Sequence, residues 1–202
     1  MLYLLVVMKQ DRIDLWNKIL LYLFLAILVA FSIYSLVIGS FYIWDHLVLI
    51  ALAISIYTFR KKFYMHPAHF FLFGIFLIFH AMGVFGFYDS HFLGVEFDTY
   101  VHTYFGFVGM LMLSRIYDHV VTDKRKSIKF FSLVTIILGI SALHEILEYL
   151  GGSILGEGFG FLKAGTGDIE MWDTQTDMRN NLIGSLFALG LNSLKYKFSK
   201  RR

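Results

Sequence analysis

The sequence predicts an all-α membrane protein: one integral membrane domain over residues 1–202, built as a bundle of about six transmembrane helices. Three observations carry this. The chain is 57% hydrophobic and only 16% charged, with a mean hydropathy of +0.65, whereas a soluble domain has roughly 45–50% apolar and about 25% charged residues. Apolar residues gather into six stretches near the length of about 20 residues that a bilayer core requires. The basic residues concentrate in alternate connections of those stretches. A water-soluble fold could not hide this apolar surface, and the absence of Cys removes a disulfide-stapled secreted scaffold.

The expected spans are 19–38, 43–59, 68–88, 98–116, 130–150 and 173–194. Before the first, Leu2–Met8 is apolar but seven residues long, and charges follow it rather than precede it. That order is wrong for a signal peptide, and starts at Met1 and at Met8 both fit. The second span is short. The only proline, Pro67, lies just ahead of the third, where a helix start tolerates it. The alternating ten-residue segments of a membrane β-barrel are absent.

The two ends and the even-numbered connections hold 16 of the 18 basic residues; only Lys163 and Arg179 lie on the other side. The positive-inside rule then puts both termini in the cytoplasm of a plasma (inner) membrane protein. Of the 15 acids, 11 fall on the outer side or in the outer halves of helices. Acids contribute little to topology, so this excess needs another cause. The basic clusters at 124–129 and 195–202 suit membrane lipid headgroups, and no nucleic-acid partner is expected.

Ionisable residues inside spans are costly and are read as functional by default. The fourth span opens with Asp98 and His102, four apart and so on one helix face. The fifth ends with His144, Glu145 and Glu148. The sixth opens with Asp173, Asp177 and Asn181 at successive fours. Three stripes thus share one depth in the outer leaflet. Carboxylates cluster in low dielectric only with protons, cations or a metal. The mixed His and carboxylate set suits a divalent Zn, Mn, Fe or Mg ion. Asp98, His102, His144, Glu148, Asp173 and Asp177 are the candidate ligands, Glu145 a candidate general base, and Asn181 an orienting or substrate-binding group. Alternatively, Asp98 and Asp173 are surface N-caps. His80 reads as a packing residue, and Asp45 and His46 as a solvated rim. The connection 151–172 carries seven glycines and reads as a binding loop or a flexible tether, with Trp172 as an interfacial anchor.

Read in order, Asp98-Thr-Tyr-Val-His102 with Gly106, Ala142-Leu-His-Glu-Ile-Leu-Glu148, and Trp172-Asp-Thr-Gln-Thr-Asp-Met178 with Asn181 and Gly184 resemble the YjdF-like family of uncharacterised prokaryotic membrane proteins. Relatives often carry Gln where this chain has Phe105. A more distant similarity of pattern links the stripes to VanZ-like proteins, which are associated with resistance to glycopeptides that bind lipid-linked wall precursors. Three functions follow as expectations: a metal-dependent hydrolase or transferase acting on a lipid or lipid-linked group, a proton- or ion-coupled transporter, or a non-catalytic binding or stress-tolerance protein.

Overall fold

The computed structural model describes residues 2–40, 42–88, 90–122, 125–155 and 172–199. It is an all-α architecture of six helices: α1 (Leu2–Val37), α2 (Ile43–Thr58), α3 (Pro67–Met82), α4 (Phe97–Val120), α5 (Lys126–Leu155) and α6 (Asp173–Ser199). Three stretches are long and apolar enough to cross a membrane: Gln10–Val37, Pro67–Phe87 and Lys126–Gly151. At 1.5 Å per residue, the 16 residues of α2 reach roughly 24 Å, short of a hydrocarbon core of about 30 Å. Helices α4 and α6 have the length, with 24 and 27 residues, but their first turns carry the polar stripes.

The helices differ from the expected spans mainly at their ends. The first runs back to Leu2 rather than starting near residue 19. The fifth passes through Gly151 and Gly152 to Leu155. The rest of the glycine-rich connection, 156–171, lies outside the described residues.

Backbone contacts divide the chain into two compact units, Met1–Ala81 and Met82–Arg202. In the first, α1 and α2 pack along each other. Helix α1 ends in a Schellman turn: Gly39 adopts φ +68°, and the Ser40 N–H donates to the Ser35 carbonyl at 2.8 Å. That left-handed step is open to glycine without a Cβ penalty. Leu28, Leu49, Ala53, Phe70 and Leu77 are buried, with Phe24 meeting Phe70 edge-on. Asp14 pairs with Arg60 at 3.3 Å and with Lys61 at 3.7 Å. Asp45 and His46 are not a solvated rim: they are 2% and 0% exposed. His46 Nδ1 lies 3.2 Å from Ser35 Oγ, and its ring stacks on Phe31. A short α1–α2 connection draws the first turn of α2 against the last turns of α1, and this buries both side chains. His80 is buried, as a packing histidine would be.

In the second unit, a π-helical turn, Gly83–Phe87, kinks at Phe85 and Gly86. A two-stranded hairpin follows, His91–Phe92 (β1) against Val95–Glu96 (β2), with Leu93 and Gly94 both at positive φ in its turn. Phe97 packs against Phe87, Tyr88 and Phe92, and the Tyr100 hydroxyl donates to the Phe92 carbonyl at 2.9 Å. The hairpin is thereby tied to the first turn of α4.

The core beneath the polar end consists of Met110, Tyr117, Leu133, Ile137 and Ala188, with Phe105 packed against it. Phe105 therefore serves as packing here. Leu143, Ile146, Leu147 and Ile140 on α5 remain exposed, as expected of side chains facing lipid rather than water.

Candidate functional site

The site begins with the packing of α4 on α6, the most extensive helix pairing in the chain. A Cβ at Gly106 would overlap the Asn181 carbonyl, and one at Gly184 would overlap the Thr103 carbonyl. Two glycines, one per helix, thus let the backbones touch. Small residues are how helices in lipid approach this closely. The Ser185 hydroxyl sits 2.8 Å from the Asn181 carbonyl and 3.1 Å from the Gly106 carbonyl, so one proton serves an intrahelical and an interhelical acceptor. The Asn180 amide faces Thr99 Oγ1 at 3.4 Å.

This contact sets the register that brings the stripes together. His102 Nε2 lies 3.3 Å from Asp98 Oδ1 on its own helix and 3.5 Å from Asp177 Oδ2 on α6. Asp98, His102 and Asp177 each offer a donor atom within 4.8 Å of the others. A second group, Glu145, Asp173 and Asp177, meets the same limit. Asp177 belongs to both. It is 4% exposed, and its Oδ1 has no hydrogen-bond partner among the described residues.

Asn181 sits one turn further along α6 and is 1% exposed. Its amide nitrogen is 2.6 Å from Ser141 Oγ on α5 and 3.3 Å from His102 Nδ1 on α4. One side chain therefore ties three helices together. Its Oδ1 has no hydrogen-bond partner among the described residues.

Of the eight expected site residues, the structure gathers Asp98, His102, Glu145, Asp173, Asp177 and Asn181. His144 and Glu148 pair with each other at 3.5 Å on the same helix. The His144 and His102 ring centroids are 6.2 Å apart. Glu145 is 5% exposed and stands with the carboxylates of α6. Asp98 is not the N-cap of α4, because Glu96 holds that position and Asp98 is already helical. Asp173 is the first residue of α6.

Ser141 was missed by sequence reasoning. The signal was present: Ser141, Glu145 and Glu148 are spaced by four and seven, one face of a helix. A lone serine in an apolar run does not stand out until its partner from α6 is seen.

Residues 16–197 match the model of the family described as "Predicted membrane protein (DUF2238)". The chain belongs to this family. It is also 29% identical over 104 residues to the inner membrane protein YjdF of Escherichia coli strain K12, covering 50% of this chain and 49% of that protein. The chain thus spans about half the length of that relative. No solved structure matches. With its apolar helices, these likenesses identify a multi-pass inner-membrane protein of the YjdF-like kind.

Proposed function

We propose that this protein binds a divalent metal where α4, α5 and α6 converge, and that the metal acts there on a lipid or lipid-linked substrate by hydrolysis or group transfer. The supporting observation is a pair of overlapping, mostly buried donor groups, Asp98, His102 and Asp177 from α4 and α6 and Glu145, Asp173 and Asp177 from α5 and α6, each within 4.8 Å. Buried like charges repel strongly unless compensated, and a bound cation would compensate them. The His plus carboxylate set fits Zn, Mn, Fe or Mg.

Asp98, His102 and Asp177 would hold the ion. When bound, it would supply Lewis-acid polarisation and a water acidic enough to be a nucleophile near neutral pH. Glu145, expected as a general base, stands among the carboxylates and is better placed as a ligand. The His144–Glu148 pair lies beside the cluster, its His144 ring 6.2 Å from that of His102. The apolar exposed surface of α5, with Leu143, Ile146, Leu147 and Leu150 flanking these residues, favours a substrate that reaches the cluster from the lipid phase. By charge asymmetry, both termini lie in the cytoplasm and the cluster opens toward the outer face.

The test is metal analysis of the full chain purified in nanodiscs. Stoichiometric divalent metal is expected in the native protein, lost in Asp177→Asn with the helical content unchanged. Metal at background level after loading with Zn, Mn, Fe or Mg would refute the proposal.

A further inference from the structure

Asp98, Glu145, Asp173 and Asp177 bring four carboxylates together, with Asp98 and Asp177 against the His102 imidazole.

The donors fall into two groups of three, each within 4.8 Å, and Asp177 is the member common to both. Asp177 Oδ2 faces His102 in the first group, while Oδ1 is buried with no hydrogen-bond partner among the described residues. A carboxylate with one oxygen engaged and the other buried and unsatisfied is suited to bridging.

We infer that the site holds two divalent cations bridged by Asp177, one on Asp98 and His102, the other on Glu145 and Asp173. This rests on the metal reading above and goes beyond it in ion number and ligand assignment. The two positions differ in chemistry. One nitrogen and two oxygens suit a borderline ion, whereas three carboxylate oxygens suit a hard one such as Mg or Mn. Three protein donors per ion leave positions open for water or substrate, as catalytic sites require. A bridged pair is also the arrangement that clamps both the attacking and leaving oxygens in phosphoryl and related transfers.

The probe is Mn²⁺ added to the full chain in nanodiscs, read by equilibrium binding and electron paramagnetic resonance. Two ions per chain with a spin-coupled spectrum are expected. Asp173→Asn and Glu145→Gln should each lower the stoichiometry from two to one and yield the spectrum of an isolated ion. Asp173 is only partly buried, so Asp173→Asn keeps the test open should Glu145→Gln fail to fold. Saturation of the native chain at one ion, or at two ions without coupling, overturns the bridged pair and leaves the metal reading standing. No binding at all overturns both.

Discussion

At the scale of single residues, Asn181 is the most constrained member of the site. Its amide faces His102 Nδ1 and Ser141 Oγ at once. A histidine that ligates a metal through Nε2 must carry its proton on Nδ1, and that N–H needs an acceptor. Rotating the Asn181 amide by 180° offers its oxygen to both partners, because the two ends of an amide are nearly the same shape. Asn181 is therefore a positioning residue for His102. Asn181→Leu should weaken Mn²⁺ binding by roughly 10–100-fold, the usual cost of removing such a partner. Asn181→Asp, which keeps an acceptor oxygen, should recover most of that loss. Equal Mn²⁺ titrations for native protein and Asn181→Leu would show that the contact to His102 has no bearing on the metal.

At the scale of elements, the decisive feature is the contact between α4 and α6. Lipid tails are as apolar as leucine, so apolar burial contributes little to holding two membrane helices together. Close packing and interhelical hydrogen bonds must do it. Gly106 and Gly184 permit the approach, and the Ser185 hydroxyl adds the bond to the Gly106 carbonyl. Ala at either glycine would drive a methyl group into a carbonyl of the opposite helix rather than into a movable side chain. Gly106→Ala and Gly184→Ala should each destabilise by about 1–3 kcal/mol, the usual cost of overpacking, and should lower Mn²⁺ affinity because Asp177 and Asn181 shift with α6. Gly190→Ala is the matched control: nothing lies within 4 Å of a Cβ there, and Ala favours the helix. Thermal unfolding in one detergent, with Mn²⁺ titration alongside, separates these cases.

At the scale of the whole molecule, the charges define a polarity along the membrane normal. One side carries 16 bases against 4 acids, the other 2 bases against 11 acids. The near-zero balance of +3 conceals two large opposite charges. The charge asymmetry predicts cytoplasmic termini, so a C-terminal green fluorescent protein fusion should fluoresce and a C-terminal alkaline phosphatase fusion should be inactive. The reverse pattern would turn the proposed site toward the cytoplasm.

Much of this was legible in the sequence because membrane insertion is governed by composition. Long apolar runs and the bias of basic residues depend on transfer free energies that each residue contributes almost independently. The polar stripes were legible for a similar reason: spacing by four places side chains on one helix face whatever the helix packs against. Local spacing could not tell which faces meet. Asp45 and His46 looked like a wet rim and proved buried, because burial depends on what the neighbouring helix covers. Spacing alone did not show that His144 pairs with Glu148 while Glu145 stands with the α6 carboxylates. That choice follows from the rotation of α5 about its axis. Sequence alone determined that the chain is a helical membrane protein with three polar stripes near one level. Only the tertiary structure decided which stripe residues converge, because two glycine contacts lock α4 to α6, and Asn181 bridges that pair to α5, in a single register.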